Sequence, residues 1–495
     1  MLVVGIRKCL IITSRRCVHH DNGQIMTRKN IRPKTSGIIV TGDEVLKGQV
    51  LDTNSYFLCK NLYKMGIKVM SISKVPDDLN VISEKVKDYS NKYDYVLTTG
   101  GIGPTHDDIT FEAVAKAFDD ELVYHSELVK IVKNFYKTDD INHPGLKMAK
   151  IPKTANVTFG FDPITNKKAF YPNVSVKNVF MFPGVPILCE RLFNFTKNQL
   201  FSSNQKFHLK ELYLSSNEDL IVNELNSAVK KFQNVLFGSY PKYFHSYYNV
   251  KITIESVDES ETVNAHEYLR RIIPEKYQID YDGDPFSDKL NKMKKLNNDK
   301  LNETYEKLER DLLAGKKKNS NDIFIYFDGS INSTVLLHIM ATIYEKNYTD
   351  KQSMNCIYLE KNIKINSYVN ETVKNYNLNL LKLNRDNFIH FAKSHGNILI
   401  VIGVRKTEPN SSEILKSFNG VNFINPLFDW NYSDLWNVTR NLYLPYCNLY
   451  DEGFTTINDV HGKPNPYLKT VGPRSDLIYY KKAHELQDNS LEHFT

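Results

Sequence analysis

Two loops of small and polar residues have the composition of phosphate-binding loops. The first loop, residues 98–110, and the second loop, residues 327–334, each connect a predicted strand to a predicted helix. Glycine lets the backbone approach a ligand closely, and the free N–H groups at a helix start attract anions. Both loops therefore predict the binding of phosphate groups, such as those of a nucleotide.

The first loop also carries two adjacent acids, Asp107 and Asp108, close to the predicted helix start. Two carboxylates beside a phosphate-binding turn are suited to a divalent metal that bridges phosphate oxygens. Acids at a helix start are also typical caps, which leaves a purely structural role open. A second polar segment, residues 42–54, follows the first predicted strand and is expected at the same edge of the sheet.

Four blocks in this order, residues 42–54, 98–110, 143–149 and 182–186, resemble the molybdopterin-binding domain family. The resemblance implies a site for the phosphate of a nucleotide or a pterin. The residues implied to line it are Gly42, Asp43, Glu44, Asp52, Asn54, Gly100, Gly101, Gly103, Thr105, Asp107 and Asp108, and the last two are the metal ligands predicted above from their position.

Three further blocks, residues 403–409, 425–430 and 444–455, resemble the adenylyl-transferring domain of the eukaryotic FAD synthase family. That domain belongs to the PAPS-reductase-like group, and Glu408 replaces the Asp of its Gly-x-Arg-x-x-Asp-Pro signature. The resemblance implies that Arg405 and Glu408 are catalytic, although a surface ion pair is the structural alternative. The residues implied to bind FMN are Gly403, Arg405, Glu408, Asp429, Trp430 and Arg474.

Asp429 and Trp430 have a structural alternative too, since an acid and an aromatic residue before a helix often cap it and pack against it. In the same family, the molybdopterin-binding-like domain is associated with hydrolysis of the pyrophosphate of FAD.

The second loop departs from the family where the family carries charge. Ser330, Ile331 and Asn332 stand in place of a glycine, a lysine and an aspartate. Losing the lysine is expected to cost about 2–4 kcal/mol of transition-state stabilisation, roughly 30- to 1000-fold in rate. Arg405 is the best compensating cation, followed by Arg474. The residues implied to hold the ATP phosphates are Phe327, Asp328, Gly329, Ser330, Asn332, Ser333 and Thr334.

The elements that position these loops alternate between short apolar strands and helices. The alternation over residues 36–184, and again over residues 322–480, predicts two α/β domains with parallel sheets and ligand sites at the strand carboxyl ends. Residues 206–280 predict a small α/β subdomain without visible chemistry. We interpret it as a packing or dimerising unit, which leaves a homo-oligomer open.

The expected organisation has five parts. A basic segment at residues 1–34 precedes a molybdopterin-binding-like domain at 35–200, a small α/β subdomain at 201–285, a helical linker at 286–321 and a PAPS-reductase-like domain at 322–495. The linker helix is predicted from four apolar residues on one helical face, Leu301, Tyr305, Leu308 and Leu312.

Composition favours small-molecule substrates over nucleic acid or membrane. The chain has 495 residues with 41% hydrophobic and 24% charged residues, which is typical of a soluble protein of several domains. Residues 1–34 hold eight Lys or Arg and one acid, Asp21, and so account for the whole net charge of +7. The remaining chain is formally neutral, which argues against nucleic-acid binding. No apolar run is long enough for membrane insertion.

The cysteines and the basic segment bear on location. Six scattered cysteines without a Cys-x-x-Cys pair favour reduced thiols and argue against disulfides or a zinc site. Residues 1–34 are typical of a mitochondrial transit peptide, with a basic tail and an internal start near Met26 as the alternative. A mitochondrial or cytoplasmic location is therefore expected.

These observations favour an FMN adenylyltransferase that uses ATP, FMN and Mg²⁺ or another divalent cation. The alternative is a synthase domain decayed to a flavin-binding module, with the N-terminal domain acting as a metal-dependent FAD or nucleotide pyrophosphatase. A third interpretation is a flavin carrier or scaffold without catalysis.

Overall fold

The computed structural model describes residues 32–242, 245–314, 322–348, 353–359, 365–394, 398–409, 411–412, 422–457, 462–471 and 478–493. Arg474 and nearly all of the basic segment at residues 1–34 lie outside the described residues, so the predictions made for them stay predictions.

The N-terminal unit is built on one main sheet. Its elements are β1 (Lys34–Thr41), α1 (Asp43–Leu46), α2 (Asn54–Lys64), β2 (Ile67–Val75), α3 (Leu79–Lys92), β3 (Tyr95–Thr99), α4 (Thr110–Ala117), β4 (Leu122–Tyr124), α5 (Ser126–Tyr136), β5 (Lys150–Pro152), β6 (Asn156–Thr158), β7 (Asn173–Val176), β8 (Val179–Phe182) and α6 (Pro186–Leu200). The strand order is β2-β1-β3-β8-β7-β6. The first four of these strands are parallel, and β7 and β6 are antiparallel additions.

The apolar run in β1 shows why this sheet is covered on both faces. Successive side chains of a strand point to opposite faces. Ile39 packs into one core cluster, while Ile38 and Val40 pack into another. A strand buried on both faces needs a continuous apolar run rather than an alternating one, which is what the sequence shows.

The middle unit is antiparallel. Its elements are β9 (His208–Leu214), α7 (Val222–Lys231), β10 (Leu236–Pro241), β11 (Val250–Ser256), α8 (Glu259–Ile272) and β12 (Gln278–Ile279), with the strand order β10-β11-β9-β12. In β11, Val250, Ile252 and Ile254 are buried and the residues between them are half-buried. That alternation fits a sheet with helices on one face only.

The C-terminal unit contains a five-stranded parallel sheet. Its elements are α9 (Lys289–Lys295), α10 (Asp299–Ala314), β13 (Ile323–Tyr326), α11 (Ile331–Asn347), β14 (Met354–Leu359), α12 (Asn366–Asn375), β15 (Leu378–Leu383), α13 (Arg385–Ser394), β16 (Leu399–Val401), β17 (Asn422–Ile424), α14 (Tyr432–Asn441), β18 (Lys469–Val471) and β19 (Ile478–Tyr480). The sheet order is β15-β14-β13-β16-β17, and β18 and β19 form a separate antiparallel pair. The predicted fold class, α/β with two mainly parallel sheets, is confirmed.

Helix α10 packs against this unit through the face predicted from sequence. Its four apolar residues are buried in the same core cluster as β13 and α11. The helix therefore contributes to the C-terminal core. Among the described residues, no helix combines the length and the apolar character needed to cross a membrane.

Candidate functional site

The second loop lies at the carboxyl end of the central strand β13. Gly329 has φ of 80°, a left-handed conformation that side chains disfavour, and an added Cβ would lie 3.2 Å from Ile365. Ser330 caps helix α11, because its hydroxyl accepts a hydrogen bond from the backbone N–H of Ser333. The strand, turn and helix start of a phosphate-binding loop are therefore present.

Three backbone N–H groups of this loop already have partners within the chain. The N–H of Ser330 donates to Asp328 Oδ1 at 3.0 Å, and that of Ser333 donates to Ser330 Oγ at 3.3 Å. The N–H of Ile331 donates to the hydroxyl of Tyr450 at 2.9 Å. The Ile331 side chain is itself buried, at 2% exposure. A ligand phosphate must displace these partners before it can use the same N–H groups.

The Arg405 guanidinium is buried and hydrogen-bonded on several sides. Both of its terminal nitrogens donate to the carboxylate of Glu492, one of them at 3.0 Å. Its Nε donates to Asn332 Oδ1 at 3.0 Å, and Nη1 donates to Thr407 Oγ1 at 3.2 Å. Burial opposes its charge, but Glu492 raises the Arg405 pKa overall. Arg405 thus lies beside the second loop, with its charge paired inside the chain.

Glu408 contacts both Asn332 and Arg405. Arg405 Nε lies 3.5 Å from Glu408 Oε1, and the two side chains are 1% and 17% exposed, so this ion pair is buried and does not lie on the surface. The Asn332 amide donates to Glu408 Oε1, so that this one side chain bridges Arg405 and Glu408. Burial raises the pKa of Glu408 to about 7, although Arg405 lowers it, and the charge of Asp328 adds to the rise. The structure therefore brings together Asp328, Asn332, Arg405 and Glu408 of the predicted site.

Gly403 lies where the segment of residues 403–409 contacts the second loop. A Cβ at this position would lie 3.4 Å from the backbone oxygen of Asn332 and 3.4 Å from Leu427. The segment after β16 therefore lies directly against the first turn of α11.

Asp429 and Trp430 lie apart from this cluster of contacts. Trp430 is buried, and its indole donates to Thr304 Oγ1 of α10 at 3.1 Å. Asp429 is exposed and pairs with Lys406 at 3.3 Å. The hydrogen bond of the Trp430 indole is thus with α10 and not with the following helix.

The cap of the following helix comes from other residues. Asn431 is the N-cap of α14, and the carboxylate of Asp434 closes a capping box with it. The capping alternative for Asp429 is therefore wrong. Its role in flavin binding stays a prediction.

The first loop has the backbone expected of an anion site. Gly100 and Gly101 have φ of 105° and 67°. A Cβ on Gly100 would lie 2.4 Å from the backbone oxygen of Thr41, so this position requires glycine. Glycine here allows the end of β3 to pass close to the end of β1.

Asn54 links the segments that surround this loop. Its amide donates to Thr99 Oγ1 at 2.8 Å and to the backbone oxygen of Gly184 at 2.7 Å. Asp52 is held at the start of the same helix, since the backbone N–H of Ser55 donates to it at 2.9 Å. Burial opposes ionisation of Asp52, but hydrogen bonds from Ser55 and Lys74 lower its pKa overall. Blocks far apart in sequence thus meet at one edge of the sheet, as predicted.

The two predicted metal ligands have different surroundings. Asp108 accepts a hydrogen bond from the backbone N–H of Thr105 at 2.8 Å and another from its hydroxyl, and it lies against Gly103. Asp107 is exposed. Lys147 donates to the backbone oxygen of Thr105 at 2.6 Å and places a cation at the loop. Asp108 therefore stabilises the turn, whereas Asp107 faces solvent.

An additional acid, Asp77, was not identified from sequence. It accepts a hydrogen bond from the backbone N–H of Asp43 at 3.0 Å. Burial raises its pKa, and the charges of Glu44, Asp43 and Asp107 add to the rise despite the Asp43 hydrogen bond. The available signal was the position of Asp77 two residues after the end of β2. No group of three or more His, Cys, Asp or Glu side chains that could hold a metal occurs within the described ranges.

Glu492 and Tyr450 were also missed. Both contact the second loop or its arginine, and both come from segments distant in sequence. Nothing in the local pattern around residue 492 marks it, whereas Tyr450 lies within a block already singled out by resemblance.

Comparison with known families matches three regions of the chain. The model of the probable molybdopterin binding domain matches residues 37–201. The model of the FAD synthase middle domain matches residues 206–282, and that of the phosphoadenosine phosphosulfate reductase domain matches residues 389–463.

Individual relatives extend these matches. A probable FAD synthase of Caenorhabditis elegans is 30% identical over 504 residues, which cover 93% of this chain and 96% of that protein. A CinA-like protein of Thermotoga maritima is 33% identical over 207 residues, covering 41% of this chain and 50% of its own length. The solved FMN adenylyltransferase of Candida glabrata is 18% identical with a TM-score of 0.34, covering 43% of this chain and 92% of that one.

The chain therefore belongs to the class of α/β proteins that join a molybdopterin-binding-like domain to a PAPS-reductase-like domain. Because the match to the Caenorhabditis elegans relative covers nearly the full length of both chains, this chain belongs to the FAD synthase family.

Proposed function

We propose that the chain synthesises FAD by adenylyl transfer from ATP to FMN. An oxygen of the FMN phosphate attacks the α-phosphorus of ATP. The bond between that phosphorus and the oxygen bridging to the β-phosphorus breaks, and pyrophosphate leaves. Membership of the FAD synthase family supports this proposal.

One structural observation carries the proposal. The ATP-side loop and the flavin-side segment meet through Asn332, which contacts both Arg405 and Glu408. Two substrates bound at these segments would lie next to each other at the carboxyl edge of the sheet. Adenylyl transfer depends mainly on such positioning and on neutralisation of phosphate charge.

Mg²⁺ enters this proposal as the magnesium complex of ATP. It usually binds through one or two carboxylates together with substrate phosphates, and it offsets the charge that develops on pyrophosphate. With Ile331 in place of lysine and the charge of Arg405 paired with Glu492, these two residues supply little positive charge to the phosphates, and the magnesium bound to ATP would supply most of it.

A direct test is incubation of the purified full chain with FMN, ATP and Mg²⁺, followed by chromatographic separation of FMN and FAD. FAD and pyrophosphate are expected in equal amounts. A folded chain that binds FMN and yields no FAD contradicts the proposal.

The paired N–H groups of the second loop favour a second candidate, in which the C-terminal unit only binds flavin. The N-terminal unit would then hydrolyse the pyrophosphate of FAD in a metal-dependent reaction, with Asp107 at its exposed loop. Release of FMN and AMP from FAD, with no FAD formed from FMN and ATP, is the result that selects this candidate.

The basic segment supports a further proposal, that residues 1–34 direct the chain to mitochondria. A fluorescent reporter fused to this segment is expected in mitochondria. A purely cytosolic reporter favours the alternative of a basic tail with an internal start near Met26.

A further inference from the structure

The C-terminal segment, residues 478–493, is fixed beside the second loop by buried polar contacts. The side chain of Asn465 donates to the backbone oxygen of Leu491 at 2.8 Å. The hydroxyl of Thr455 donates to the backbone oxygen of Glu492 at 2.7 Å. Asn465 and Thr455 are themselves almost completely buried. The backbone at residue 492 is therefore held in one place.

The Glu492 carboxylate is aimed at Arg405. Arg405 and Glu492 are 1% and 3% exposed, and both terminal nitrogens of the guanidinium donate to the carboxylate. A paired geometry of this kind fixes the orientation of the guanidinium plane. Removing one member of a buried pair leaves an uncompensated charge, so the two groups depend on each other.

The orientation of Arg405 in turn fixes the side chains of the candidate site that it contacts. The Arg405 Nε donates to Asn332 Oδ1 at 3.0 Å, and the Asn332 amide donates in turn to Glu408. We infer that Glu492 is a positioning residue of the synthase site: through Arg405 and Asn332 it holds Glu408 against the start of α11. This inference rests on the proposed FAD synthesis.

Charge gives this arrangement a second effect. The groups that face Glu408 are Arg405, Asn332, Asp328 and Glu492, and His493 lies 3.6 Å from Glu492. The negative charge of Glu492 offsets that of Arg405. Its removal therefore leaves Arg405 freer to stabilise the ionised form of Glu408.

The experiment compares three variants of the full chain. Glu492→Gln removes the charge with little change in shape, and Glu492→Asp keeps the charge. Glu309→Gln is a matched control, because Glu309 pairs with Lys346 and Asn347 at 3.0 and 2.7 Å without contacting the site. The readouts are kcat and KM for FAD formation, the pH profile of kcat, and Tm.

We expect Glu492→Gln to lower kcat roughly 10- to 100-fold, the usual effect of misplacing site groups by about 1 Å. The KM for FMN should change less, and the midpoint of the pH profile should move to lower pH. Glu492→Asp should recover most of kcat, and Glu309→Gln should match the wild-type chain in kcat and pH profile.

Two results overturn the inference. The first is an unchanged kcat in Glu492→Gln. The second is a lower kcat with an unshifted pH profile, which is what a purely structural role of Glu492 would give. If Glu492→Gln does not fold, Thr455→Val is used to test the inference in its place. That variant loosens the backbone at Glu492, and a wild-type kcat in it overturns the inference. A wild-type chain that forms no FAD contradicts the proposed function itself, which distinguishes the two failures.

Discussion

The backbone N–H of Ile331 donates a hydrogen bond to the hydroxyl of Tyr450 at 2.9 Å, at the start of the helix that follows the second loop. In a phosphate-binding loop this N–H would point to the ligand. Tyr450 is almost completely buried, so its hydroxyl cannot easily move aside. One of the donors expected to hold ATP is therefore engaged within the protein.

Removing that hydroxyl should improve ATP binding. Tyr450→Phe frees the Ile331 N–H for phosphate, and a hydrogen bond contributes about 0.5–1.5 kcal/mol, so the KM for ATP should fall roughly 2- to 10-fold. Steady-state kinetics at saturating FMN measures this. Tyr446→Phe is the control, since the Tyr446 hydroxyl donates to Asp451 instead of the loop. An equal KM for ATP in Tyr450→Phe and wild type contradicts the prediction.

Restoring the family's aspartate at position 332 should harm the protein. Asn332→Asp replaces the amide that donates to Glu408 with a second carboxylate, and two carboxylates at hydrogen-bonding distance repel each other. We expect a lower Tm and lower FAD formation than in Asn332→Ala, which removes the bridge without adding charge. Calorimetry of the three chains at pH 7.5 to 8 tests this (a range set above the pKa of Glu408). A Tm of Asn332→Asp equal to or above that of wild type is the contrary result.

Glu408 should make stability depend on pH. Burial raises its pKa to about 7 from the usual 4.5, so between these values the folded chain keeps a proton that the unfolded chain releases. Wild-type stability therefore falls as pH rises through this window, by on the order of 3 kcal/mol for this group. Glu408→Gln lacks the titrating proton. The Tm of Glu408→Gln minus the Tm of wild type should therefore increase from pH 4.5 to 7. A Tm difference that stays constant over this range contradicts the raised pKa of Glu408.

The sequence allowed the sheets to be predicted better than the contacts at the site. Parallel strands such as β1 carry apolar runs that follow directly from burial on both faces. The short strand β17 carries no such run, since Asn422 is exposed and its neighbours are only half-buried. The contacts of Glu492 and Tyr450 depend on how distant segments pack, and no local pattern encodes that packing. The signature at residues 403–409 did indicate a segment that contacts the second loop, since Arg405 and Glu408 both hydrogen-bond to Asn332.

Variants of Asp107 and Asp108 should distinguish a role in metal binding from a role in stabilising the turn. Asp108→Ala removes the acceptor for Thr105 and should lower the stability of the N-terminal unit by about 1 kcal/mol, as loss of a cap does. If the N-terminal unit hydrolyses FAD, as the second candidate function proposes, Asp107→Ala should leave Tm unchanged and abolish that hydrolysis. Assays of FAD cleavage and unfolding on both variants measure this. Hydrolysis that survives Asp107→Ala removes that residue from the metal site.

The most direct test of FAD synthesis is the amount of FAD that the full chain forms from FMN, ATP and Mg²⁺. We expect FAD to accumulate with one pyrophosphate per FAD, to stop when Mg²⁺ is chelated, and to be slow because the second loop lacks its lysine. The proposed FAD synthesis is contradicted if the folded chain quenches flavin fluorescence on binding FMN and yet forms no FAD over many hours.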